Sequence, residues 1–150
     1  MFTNARLFVK TAFFFFLIGI ISGIYLYAAK LFFWISPYTL ASAHAHLLLM
    51  GGVYMMILGV AIWFFPRAKK DDRKYNPTWI YIYYWIFTLS TAGRFVFEIV
   101  FGLLTNSCWS IAGFICTILQ TVAALGLVYS IWGRIRPVGS QIREKQGERF

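Results

Sequence analysis

Apolar residues run through this chain in four long blocks separated by shorter polar or charged stretches. The blocks lie at about residues 11–27, 41–65, 79–104 and 111–132. Each is close to or beyond the ~20 mainly apolar residues that a helix needs to cross a bilayer. No segment alternates polar and apolar at period two, so membrane strands are not expected. The pattern predicts an all-α, integral membrane four-helix bundle over residues 1–137, with a hydrophilic tail over 138–150. The third and fourth blocks contain Arg94, Glu98 and Gln120, so part of each helix is expected to face a neighbour and not lipid.

Composition supports this reading. Of 150 residues, 60% are hydrophobic and 21% aromatic, more apolar surface than a soluble domain of this size can hide. Clusters such as Phe32-Phe33-Trp34 and Tyr81-Ile82-Tyr83-Tyr84-Trp85 fall near span ends, where aromatic belts lie.

The formal net charge of +9 raises nucleic acid as a partner, but the placement of the charges argues for membrane lipid. Arg6 and Lys10 precede the first span. Arg67, Lys69, Lys70, Arg73 and Lys74 lie between spans two and three, and Arg134, Arg136, Arg143, Lys145 and Arg149 follow span four. Lys30 alone lies in the first connection, and 105–110 has no basic residue. The positive-inside rule then places both termini and the middle loop in the cytoplasm, in a multi-pass protein of the inner (plasma) membrane. The first block has a signal-like beginning, but its core is long and apolar residues resume at Leu31, so no cleavage is expected. Residues 66–77, polar and bounded by prolines, read as a loop between two hairpins. Cys108 and Cys116 are about 12 Å apart along a helix and cannot bridge within it.

Candidate chemistry sits at the start of the second block, in Ser42-Ala43-His44-Ala45-His46. His44 and His46 are the only two histidines in the chain, and imidazole is both a metal ligand and a costly group in a bilayer. By the charge rule they lie toward the outer face. On a wheel of about 100° per residue, His44, Leu48, Gly51, Met55, Leu58 and Ile62 share one face. His46, Met50, Val53, Ile57 and Val60 share another, about 200° round. Two solutions remain. An extended His-x-His could pinch a copper or zinc ion. Alternatively, a continuous helix could turn one histidine to a cofactor and the other to a second partner.

Gly51, two turns below His44, favours the second solution, because it leaves a flat recess for a macrocycle edge or a close helix. Gly52 and Gly59 form a separate small-residue stripe, expected at a helix–helix contact. In the third block Arg94 and Glu98 are one turn apart and can neutralise each other. The same arginine could clamp a haem propionate. Gln120 could donate to that network or make an ordinary interhelical hydrogen bond.

The stretch His44-Ala45-His46-Leu47-Leu48-Leu49-Met50-Gly51-Gly52, closed by Phe64-Phe65-Pro66-Arg67, resembles the second transmembrane helix of haem–copper oxidase subunit I. The likeness is to the cbb3-type oxidase and nitric-oxide-reductase branch, and to short subunit I-like membrane proteins. It covers about 25 residues of the 150. The resemblance implies a low-spin haem b with His44 as its axial ligand. It leaves the second ligand to Met50, Met55, a water, another copy of the chain, or nothing. One copy has no third histidine, so it cannot build a complete oxygen- or nitric-oxide-reducing centre. With no Cys-x-x-Cys-His motif, haem would be held noncovalently.

The resulting expectation is a haem b protein of electron transfer or diatomic gas binding, with cofactor-binding residues His44, His46, Gly51, Met55, Arg94 and Glu98. The alternatives are copper held by His44 and His46 in an assembly protein, or a noncatalytic subunit of a respiratory complex. Expected partners are lipid and either further copies of the chain or that complex, with no nucleic acid.

Overall fold

Asparagines and prolines place several helix ends. A computed structural model describes residues 3–66, 76–135, 142–143 and 146–147. The charged part of the loop, 67–75, and most of the 138–150 tail lie outside the described residues. Helix α1 spans Thr3–Phe32 and α2 spans Leu40–His46. A π-helical segment, Leu47–Tyr54, follows without a break and runs into α3, Met55–Phe64. Helices α4 (Pro77–Leu104) and α5 (Ser107–Trp132) complete the chain.

Four helical stretches are long and apolar enough to cross a membrane, with α2, the π segment and α3 acting as one. The protein is therefore an all-helical, multi-pass membrane four-helix bundle. Among the described residues there are no strands.

Helix α1 is longer than its apolar block. Its 30 residues would extend about 45 Å, against a hydrocarbon core of ~30 Å. Arg6, Lys10 and Lys30 fall in its end turns, where long side chains reach the interface. Phe33 ends the helix in the left-handed region at φ 55°, and the Trp34 amide bonds back to the Ala29 carbonyl at 3.0 Å.

Pro77 opens α4 just after Asn76, whose side chain accepts from the Thr78 amide at 2.9 Å. Asn106 does the same for Cys108 at the start of α5, also at 2.9 Å. Between these helices only Thr105 and Asn106 intervene, with Thr105 left-handed at φ 51°, giving a tight hairpin.

Neighbouring helices run antiparallel. At one end Asn4 donates to the Pro77 carbonyl at 3.2 Å, and Arg134 donates to the Pro66 carbonyl at 2.9 Å. At the other end the Thr39 hydroxyl donates to the Glu98 carbonyl. The core between them takes Phe8, Ala12 and Phe15 from α1 and Met55, Leu58 and Ile62 from α3. Ile80, Tyr84 and Phe87 enter from α4, and Ala123 and Leu127 from α5.

Glycines set the contact between α1 and the second span. A Cβ at Gly59 would lie 2.9 Å from Val9 Cγ2 and 3.2 Å from the Val9 backbone nitrogen. Only a residue without a side chain allows that approach. Higher up, Gly51 and Gly52 receive the rings of Phe15 and Phe16, and Gly19 of α1 receives Leu48.

Candidate functional site

Helix α2 carries both histidines, and they turn to different neighbours. His44 faces α1. Its Nδ1 lies 3.0 Å from Ser22 Oγ, and its ring lies over Gly23, where a Cβ would come within 2.9 Å of the imidazole Cε1. Ser22 Oγ is also 2.8 Å from the Gly19 carbonyl oxygen, which can only accept. A serine hydroxyl has one proton, so with that proton on Gly19 the Ser22 oxygen must accept from His44. His44 then carries its proton on Nδ1 and leaves the Nε2 lone pair free. A ring whose other nitrogen donates to a fixed partner is the usual arrangement of a histidine ligand.

His46 faces α4. Its Nδ1 is 3.3 Å from Arg94 Nη2, and a guanidinium only donates, so Nδ1 accepts there. A neutral His46 therefore carries its proton on Nε2 and offers no second lone pair. Arg94 Nε donates to Glu98 Oε1 at 3.0 Å, one helical turn away, closing a His46–Arg94–Glu98 chain. The self-neutralising Arg94–Glu98 pair expected from the spacing is present.

Other expected site residues fall elsewhere. The recess under His44 at Gly51 holds the Phe15 ring, with Cδ2 only 2.7 Å from a notional Cβ, so a close helix occupies it. Met55 is fully buried among core side chains. Met50 packs at the edge of that core. Gln120 does not join the Arg94 network: its Nε2 donates to Thr91 Oγ1 at 2.7 Å, and Thr91 donates onward to the Phe87 carbonyl at 2.7 Å. Cys108 and Cys116 are free thiols. Among the described residues, no three His, Cys, Asp or Glu side chains gather as a metal-binding group.

The second face drawn on the regular wheel does not hold together. It begins at His46, against α4, yet Val53, Ile57 and Val60 are exposed on the outside of the bundle. The first face keeps its place throughout, with Met55, Leu58 and Ile62 buried below Gly51.

Ser22 and Gly23, the residues that hold His44, are not among the expected site residues. The available signal is the small-residue spacing Gly19-x-x-Ser22-Gly23 on α1, which marks a close helix contact. Comparison of the chain with protein-family models, curated proteins and solved structures finds no match.

Proposed function

We propose that this is a haem b-binding membrane protein of electron transfer or diatomic gas binding, with His44 Nε2 as the axial ligand atom. The observation that carries this reading is the Gly19–Ser22–His44 chain, which orients the imidazole and leaves Nε2 uncommitted. The resemblance of the His44–Gly52 stretch to haem–copper oxidase subunit I supplies the cofactor.

The fit is one-sided. His44 suits an axial ligand, but the Gly51 recess is packed by Phe15 and Met55 is enclosed in the core. The chain thus offers His44, which is only partly buried, and no cradle beneath it. A macrocycle would be completed by lipid or by another chain, either a second copy or a subunit of a respiratory complex. Bound haem would supply one-electron or gas-binding chemistry. The chain's own part is to hold the ring and its tautomer in an apolar setting.

The charge distribution supports cytoplasmic termini, with the histidine end outward in a plasma membrane. A copper clip on His44 and His46 is the weaker reading, because the two rings bond to different helices.

A second reading, a noncatalytic subunit, draws on Phe15 filling the Gly51 recess. One experiment separates them: oxidised and dithionite-reduced spectra of protein purified in detergent after expression with ample haem. A Soret band lost in His44→Ala and kept in His46→Ala is the expected result. No haem in the parent protein would leave the subunit role, and haem retained in both variants would reject the ligand assignment.

A further inference from the structure

Helices α1 and α4 touch near their first residues and part toward the histidine end. Asn4 donates to the Pro77 carbonyl at 3.2 Å, the Phe8 and Tyr84 rings meet edge to face at 5.0 Å, and the Thr11 and Tyr84 hydroxyls lie 2.6 Å apart. Beyond that level a groove of about 450 Å³ opens between the two helices. One wall runs from Ile18 to Tyr25 on α1. The other is Phe95, Ile99 and Leu103 of α4, four residues apart and so on one face.

The depth of the groove follows from the charges on α1. Lys10 and Lys30 flank its uncharged stretch. At 1.5 Å per residue they are ~30 Å apart, the thickness of a hydrocarbon core. Ile18 to Tyr25 then lie about 12–23 Å above Lys10, from mid-membrane into the half that carries the histidines.

The walls restrict what fills this space. Both hydroxyls that line it are engaged, Ser22 with the Gly19 carbonyl and His44, and Tyr25 with the Ile35 carbonyl, to which it donates at 2.7 Å. Among the described residues no charged side chain lines it. A headgroup or a water would find no uncommitted side-chain donor there. Left empty, the walls would forfeit dispersion contacts. Ile21, Ile35 and Leu103 line the groove and are also exposed, so it is continuous with the lipid-facing surface of the bundle.

Its shape separates lipid from a second copy. The groove is closed below, where α1 meets α4, and bounded above by Ile35 and Pro37 of the connection. From Ile18 to Tyr25 it is ~10 Å long, a third of the hydrocarbon thickness. A helix of another copy must cross the whole bilayer and cannot follow it. A flexible chain can bend in.

We infer that this groove is a binding site for one acyl chain of a membrane phospholipid, seated between α1 and α4 on the face that carries Ser22. The site is independent of whether His44 holds haem.

The test places the full chain, one copy per nanodisc, in lipid that includes a phosphatidylcholine with a mid-chain diazirine. After illumination, adducts are mapped residue by residue. The comparison is with Ile115, Ile118 and Val122, an exposed ridge of α5. A seated chain keeps contacts that a mobile one loses, so adducts at Ile18, Phe95 and Ile99 are expected at about threefold the ridge level. Ile99→Trp and Ile18→Trp each fill the groove and should remove the excess, with circular dichroism and elution position unchanged from the parent.

Native mass spectrometry of protein released from its own membrane should show phospholipid retained by the parent and lost from the filled variants. Groove adducts no more frequent than ridge adducts overturn the inference, as does an excess that persists in both variants. An isoprenoid lipid retained in place of phospholipid also overturns it. So does an excess that vanishes in densely packed vesicles, because the groove then belongs to a second copy.

Discussion

Two histidines one residue apart do opposite things because each ring's Nδ1 meets a different kind of partner. Ser22 makes His44 a donor at Nδ1, and Arg94 makes His46 an acceptor there. An uncommitted Nε2 lone pair thus falls to one ring, although the sequence presents the two alike. Ser22→Ala removes the acceptor and frees the His44 tautomer and its rotation. Partners of this kind are typically worth about 10–100-fold in affinity for the bound group. On the haem reading, Ser22→Ala should weaken haem retention by about that factor, measured by haem transfer to an apo-globin acceptor. Retention unchanged from the parent would show that Ser22 does not position the ligand.

At the scale of the element, the second span is three helical pieces in one rod. Its π segment contains Gly51 and Gly52 and lies directly below the histidines. The rod is fastened to α1 through glycines, and its lower contact is the least forgiving. At Gly59 an added Cβ meets the Val9 backbone nitrogen as well as side chains, and backbone cannot rotate away. In lipid, close packing of this sort drives helix association, since burial of apolar surface from water does not. Gly59→Ala should therefore cost about 1–3 kcal/mol, the usual range for overpacking a tight site. Reversible unfolding in mixed micelles measures this, with Gly113→Ala as the tolerated control. Equal stability of the two variants would mean that the α1–α3 approach relaxes freely.

For the whole molecule, the two hairpins are tied at the end opposite the histidines by Arg134. This arginine is almost fully buried. It donates from Nε to the Pro66 carbonyl at 2.9 Å, and from Nη2 to the Ile62 and Phe65 carbonyls at 2.9 and 2.8 Å. The Ile62 carbonyl lies in the last turn of α3 and loses its i+4 donor because Pro66 has no amide hydrogen, and the Phe65 and Pro66 carbonyls lie just beyond the helix. One side chain from beyond α5 thus caps a helix in the other hairpin. Arg134→Met should lose about 1.5–3 kcal/mol, the worth of a charge-assisted hydrogen bond, in the same micelle assay. Arg134→Lys should recover only part of it, because a lysine ammonium lacks the planar fork that reaches several carbonyls. Full stability in Arg134→Met would mean that the cap is dispensable.

Much of the fold was legible from the chain alone. Four apolar blocks of spanning length dictate four helices, because a bilayer leaves backbone groups no partner but one another. Pro66, Pro77 and Asn106 lie at helix ends for local steric and hydrogen-bonding reasons that need no tertiary contact. The Arg94–Glu98 pair followed from its i, i+4 spacing.

The length of α1 was less legible, since charged end turns read as connection although a helix can carry them through the interface. The outcome at His44 was not legible at all. Its proton position depends on Ser22, 22 residues away in sequence and brought near by antiparallel packing. The same packing put Phe15 into the Gly51 recess and Gln120 onto Thr91. Local sequence determined which segments are helical and where several stop. Tertiary structure decided which side chains meet, and so which imidazole nitrogen carries a usable lone pair, because that depends on donors and acceptors from other helices.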